Sequence, residues 1–178
     1  MKKYLVLILF ALISISALSQ HMKFMGIPLN GTIAQFTTKL QQKGVTISSA
    51  NKYSGNDCRF FSGIFYGKEA RIFVFYIPST KLVYRAKVVF EFDNADRRDE
   101  FKNEIYNKII NKYNSEIKTS WLNDYISYKI LIDLGVRSDI YEGRIDLFYS
   151  YEYTYSLHID YYDCVNYEKY QACIDADL

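Results

Sequence analysis

From Leu82 to Phe92 the chain alternates with a period of two. Leu82, Tyr84, Ala86, Val88, Phe90 and Phe92 fall on one side, and Val83, Arg85, Lys87, Val89 and Glu91 on the other. This is the pattern of a strand with one dry face. A second apolar run, Ala70 to Ile77, precedes it across the turn residues Pro78, Ser79, Thr80 and Lys81, which predicts a hairpin. Upstream, Val45 to Ser49 and Cys58 to Tyr66 read as strands around the loop at Ser54-Gly55-Asn56-Asp57, and Gly67-Lys68 turns the chain into the hairpin. Downstream, Tyr125 to Ile132, Gly143 to Ser150 and Tyr153 to Tyr162 also alternate. In the last run Tyr153, Tyr155, Leu157, Ile159 and Tyr161 are expected to face the core, with Thr154, Ser156, His158, Asp160 and Tyr162 facing outward.

A different period marks two helices. Ile33, Phe36 and Leu40 share a face between a capping box, Thr32 with Gln35, and a stop at Gly44, so a helix is expected over 32–43. Phe101, Ile105 and Ile109 repeat every four residues after a cap at Asp93-Asn94, and Tyr113 continues the line, giving a second helix over 95–113. The mixed charges from Asp96 to Glu100 read as its solvated side, and Val165 to Ala176 as a short closing helix or tail. The order is helix, four strands, helix, three strands. Without strand-helix-strand alternation, the fold class is α+β, an antiparallel sheet of about seven strands with both helices on one face. The other face is left to solvent or to a partner.

The amino terminus changes the picture of charge and compartment. Lys2 and Lys3 precede an apolar run from Tyr4 to Ile13, and Ala17 and Ser19 occupy the positions of a signal-peptidase site. Residues 1–19 are read as a secretory signal peptide and 20–178 as a single domain, periplasmic or secreted. The run is too short for a stable membrane span, so no span is expected after cleavage. The chain of 178 residues carries a formal charge of +2, and cleavage removes two lysines, leaving none. A neutral domain has no electrostatic case for nucleic acid. An odd number of cysteines, Cys58, Cys164 and Cys173, leaves at least one unpaired. A single tail helix would hold Cys164 and Cys173 too far apart to bridge, so only Cys58 with a tail cysteine, or a kinked tail, leaves room for a disulfide, and free buried thiols are the favoured reading.

The block Phe24-Met25-Gly26-Ile27-Pro28-Leu29-Asn30-Gly31-Thr32, followed by Phe36, Leu40 and Lys43-Gly44, resembles a group of small uncharacterised secreted proteins of gut-dwelling Gram-negative bacteria. Phe61, Gly63, Phe65 and Gly67, and the ending Ile174 to Leu178, extend the likeness. It implies export, one α+β domain and no known activity. The element order is also similar to β-lactamase-inhibitor-like and TATA-binding-protein-like folds, a likeness of architecture that carries no function.

Candidate chemistry is sparse. His21 lies beside the signal cut and is expected in a mobile end. Ser156, His158 and Asp160 share a strand face, but residues two apart are ~7 Å from each other, too far for a nucleophile-to-base hydrogen bond. Asp160, Asp163, Asp175 and Asp177 lack the spacing of a calcium loop. No cofactor or metal and no catalytic constellation is expected. Tyrosine is the compositional oddity at 18 residues, crowded between Tyr141 and Tyr170, where it serves both cores and binding surfaces. The expected function is a non-catalytic module recognising a protein or peptide through the sheet face bearing Arg85, Lys87, Glu91, Phe148, His158 and Tyr162. Carbohydrate recognition by exposed aromatics is the alternative, and an uncharacterised hydrolase comes last.

Overall fold

The computed structural model describes residues 21–53, 55–113, 115–122, 125–132, 143–149 and 155–176. A ribbon of β1 (Lys23–Phe24) and β2 (Ile27–Pro28) comes first, then α1 (Ile33–Gln42), β3 (Thr46–Ile47) and a 3₁₀ turn (Ser49–Tyr53). The strands β4 (Cys58–Phe65), β5 (Lys68–Tyr76) and β6 (Val83–Glu91) follow, then α2 (Ala95–Lys112). The second half holds β7 (Ser115–Leu122), β8 (Tyr125–Ile132), β9 (Gly143–Tyr149), β10 (Ser156–Asp163) and α3 (Cys164–Ala176). The main sheet has eight antiparallel strands in the order β3-β4-β5-β6-β10-β9-β8-β7. Each half is a helix followed by a four-strand meander, and the halves meet through their last strands, β6 and β10.

Local chemistry explains the first helix. Thr32 Oγ1 accepts from Gln35 N at 3.4 Å while Gln35 Oε1 accepts from Thr32 N at 3.0 Å, the reciprocal capping box. Gly44, with φ +81°, ends the helix in a left-handed conformation. Ile33, Phe36 and Leu40 from α1 join Ile105 and Ile109 from α2 in one core with Phe61, Ile72, Val88, Phe90, Leu157 and Ile159 of the sheet. Both long helices therefore cover the same face. Burying side chains of this size stabilises by ~1.5–3 kcal/mol each.

The meander pattern was legible, but several details differ. The expected strand over 45–49 shrinks to two residues: Ser48 N still donates to Phe60 O at 3.0 Å, but Phe60 N turns to Asn51 Oδ1 at 2.8 Å, and Asn51 Nδ2 donates to the same Phe60 O. The strand β7 and the β1–β2 ribbon were not expected. A bulge also interrupts the β5–β6 register, with Phe75 opposite Arg85 but Tyr76 opposite Val83, so Tyr84 is the extra residue. Val83 thereby joins the core, and Tyr84 leaves it to stack on Tyr170 at 4.5 Å. Tyr155 precedes β10 and is exposed rather than buried, while Tyr153 lies outside the described residues. Within the charge run of α2, Arg98 is buried, its guanidinium 3.9 Å from the Tyr149 ring centre, and Tyr149 donates to Asp99 at 2.6 Å.

His21 is pinned rather than mobile. Its Nδ1 lies 2.7 Å from Asp163 Oδ2, which also accepts from Met22 N at 3.0 Å. Asp163 Oδ1 accepts from Asn166 N at 2.9 Å and so caps α3. Burial pushes the Asp163 carboxyl above its ordinary range, against the opposing pull of these donors. Asn166 reaches across to Leu29 O and Val83 O at 2.8 and 3.0 Å, fastening α3 to the sheet end. Cys58 and Cys164 are free thiols, and burial pushes them up to about 12 and about 11.

Candidate functional site

The face of the sheet opposite α1 and α2 is ordered in rows across the strands. Cys58, Phe75, Arg85, Tyr162 and Arg144 form the first row; Phe60, Phe73, Lys87, Asp160 and Asp146 the second; and Ser62, Arg71, Val89, His158 and Phe148 the third. Strand pleating makes this inevitable once the opposite parity is committed to the core. Aromatic rings thus share this face with cations and carboxylates.

Several of these groups pair with one another, while His158 Nδ1 is buried without a hydrogen-bond partner. Arg85 grips Asp160 through two bonds, Nη2 to Oδ2 at 2.7 Å and Nε to Oδ1 at 3.3 Å. Its guanidinium also sits 4.5 Å from the Phe75 ring centre and 5.1 Å from that of Tyr162. Arg144 lies on Tyr162 at 4.0 Å, and Lys87 on Phe148 at 5.6 Å. Burial opposes the charge on Arg85, but Asp160 and Tyr162 raise its pKa above the usual value. Tyr162 is pushed up to about 12, first by burial and then by Asp160. Such cation–ring contacts are worth ~0.5–2 kcal/mol each, more where water is excluded.

The face is only partly open. Ser156, His158 and Asp160, expected outward, are buried at 1%, 7% and 1% exposure. At one end α3 folds onto the same face, where Tyr167 meets Tyr162 at 5.7 Å and Tyr84 at 5.9 Å. The opposite end is a groove of about 770 Å³ lined by Thr46, Ser62, Ile64, Glu69, Arg71 and Glu91 over a floor that includes Val89. Arg71 and Glu91 pair across it with both side chains half exposed, and Ile64 is 57% exposed.

Of the expected site residues, the fold brings Arg85, Lys87, Phe148, His158 and Tyr162 into one connected cluster on three adjacent strands. Glu91 stands apart from it at the groove. Sequence reasoning missed Arg71, Ser62, Ile64 and Glu69, although Glu69 and Arg71 share a parity in β5 that would have found them. Arg144 was likewise missed, two residues from Asp146, whose Oδ2 is 3.1 Å from its Nε.

The serine–histidine spacing needs correction. Ser156 Oγ approaches His158 Nε2 to 3.3 Å because the side chains lean together. The pair still makes a poor nucleophile. Burial, followed by Lys87, Arg71 and Arg85, pushes His158 down to about 3, so it is a weak base. Asp160 serves Arg85, and His158 Nδ1 has no hydrogen-bond partner to orient the ring. Asp160 and Asp163 point to opposite faces of β10 with separate partners, and Asp177 lies outside the described residues. Among the described residues no cluster of three or more acidic, histidine or cysteine side chains could hold a metal, and no helix is long and apolar enough to cross a membrane.

No protein-family model, curated protein or solved structure matches the chain.

Proposed function

We propose that the protein is an exported, non-catalytic binding module that recognises a protein or peptide on the face of its sheet. Export rests on the signal-like residues 1–19, with Lys2 and Lys3 before an apolar run, and on the resemblance to small secreted proteins. Recognition rests on one observation: the part of the face that α3 leaves uncovered is a groove of about 770 Å³, with both signs of charge on its walls and an exposed isoleucine at its lip. That composition suits a peptide, whose backbone and side chains present donors, acceptors and apolar groups together. It suits sugar less well, because the rings of Tyr162 and Phe148 already carry cations where a sugar would stack.

The cluster of Arg85, Asp160, Tyr162 and Arg144 then has a supporting role. It stiffens the centre of the face behind the groove, so that binding orders few side chains. The test is to pan a random peptide display library on the mature protein and map protection by amide hydrogen exchange. Peptides that protect Ser62, Arg71 and Glu91, and that lose binding to an Arg71→Glu, Ile64→Asp variant, support the reading. Protection elsewhere, or equal binding to that variant, refutes it.

A further inference from the structure

Ile64 lines a second cavity, of about 540 Å³, around the corner of the β4–β5 turn. Lys23 from β1, Lys43 at the end of α1 and Lys112 in the last turn of α2 line it, with Phe65, Tyr66 and Tyr161 as aromatic wall. No aspartate or glutamate lines it among the described residues. Phe65 and Tyr161 are buried, and Tyr161 hydrogen-bonds with Tyr66, so the wall is fixed before anything binds. Lys112 Nζ lies 4.8 Å from the Tyr113 ring centre. Lys23 and Lys43 have no ion-pair partner among the described residues.

Helix polarity accounts for part of this. Cations are favoured at helix C-termini, which suits Lys43 and Lys112. Lys23 belongs to neither helix and brings a third positive charge to the same cavity. Like charges gathered without an anion repel, and an anionic ligand would relieve that repulsion. Lysines are flexible point charges that accept a carboxylate in many orientations, unlike the fixed fork of arginine.

We infer that the protein's peptide partner is acidic, with carboxylate side chains seated among Lys23, Lys43 and Lys112 while its chain continues past Ile64 into the sheet-face groove. This rests on the peptide-binding reading above, and Ile64, which lines both cavities, places them side by side, an arrangement that favours a peptide over a free small anion. The domain without residues 1–19 carries no net charge, so attraction is local and falls off within a Debye length of ~8–10 Å.

Fluorescein-labelled hexaglutamate, hexalysine and an uncharged glycine–serine hexapeptide, titrated by anisotropy into the mature protein, test it. Hexaglutamate is expected to bind and the other two not. Charge reversal in a Lys23→Glu, Lys43→Glu, Lys112→Glu variant is expected to weaken it about tenfold or more, with three exposed pairs lost. The Lys→Gln triple variant, which adds no new repulsion, is expected to lose somewhat less. Raising salt from about 0.02 to about 0.3 M is expected to weaken binding as well. Equal binding of hexaglutamate and the glycine–serine peptide, or unchanged binding to both triple variants, overturns the inference. So does full competition by inorganic phosphate with no protection of groove amides, which assigns the cavity to a free anion. Because the display experiment reads Arg71 and Ile64 and this one reads the lysines, failure of either is separately visible.

Discussion

His158 offers the sharpest test of the electrostatics of the sheet face. It is buried, with 7% of its surface exposed, its Nδ1 lacks a hydrogen-bond partner, and its environment holds its pKa at about 3 against an ordinary 6.5. The sign follows from linkage. A histidine whose folded pKa is depressed binds fewer protons folded than unfolded, so stability is lost as pH falls below the unfolded value. With a folded pKa of about 3, lowering pH from 7 to 5 costs about 2 kcal/mol through this one group. A His158→Gln variant keeps a polar side chain but cannot titrate. Urea unfolding at pH 7, 6 and 5 is expected to show the wild type losing about 2 kcal/mol more than the variant over that interval. Ring-proton NMR is expected to find His158 neutral throughout. Titration of His158 near pH 6, or equal pH slopes for the two proteins, refutes the reasoning that burial and Lys87, Arg71 and Arg85 exclude its charge.

Arg85→Ala leaves Asp160, at 1% exposure, buried without its cation; a loss of ~3–5 kcal/mol is expected by chemical denaturation, with partial recovery in an Arg85→Gln, Asp160→Asn double variant. Asp163→Ala removes the acceptor shared by His21, Met22 and Asn166, so ~2 kcal/mol of stability should go, and amide exchange at Met22 should accelerate. In Asp163→Asn the carboxyl no longer titrates. Because burial raises the folded pKa of Asp163, the wild type should lose stability relative to that variant as pH rises from the unfolded value through the folded one. Gly63→Ala would place a methyl group 3.1 Å from Val45 Cγ2 and 3.3 Å from Val45 Cα, and a loss of ~1–3 kcal/mol in thermal unfolding is expected from overpacking.

The expected face at His158, Asp160 and Tyr162 was read correctly as the one opposite the core, because pleating fixes parity once Leu157, Ile159 and Tyr161 are committed inward. Their burial was not legible. Parity says which way a side chain leaves the strand, and it says nothing about how closely Arg85, Val89 and Phe148 on the neighbouring strands will crowd it. The slip at Val83 and Tyr84 has the same origin, since a bulge shifts parity by one at a place that only the partner strand defines. For β7 the sequence Ser115 to Leu122 carries a single lysine and a single glutamate among mixed residues, too little contrast for a period to emerge.

The two long helices, their caps, the hairpin at Pro78-Ser79-Thr80-Lys81 and the α+β class are all written in local sequence. All of these follow from contacts within a few residues and from the repeat of apolar positions. Tertiary structure decided everything that joins distant segments: the meeting of β6 with β10, the docking of His21 on Asp163, and the fold-back of α3 over Tyr84 and Tyr162. It also decided the gathering of Lys23, Lys43 and Lys112. No local period encodes such encounters, because they depend on which faces two separately formed meanders bury against each other. The candidate site is made of those encounters, and it became visible only with the fold.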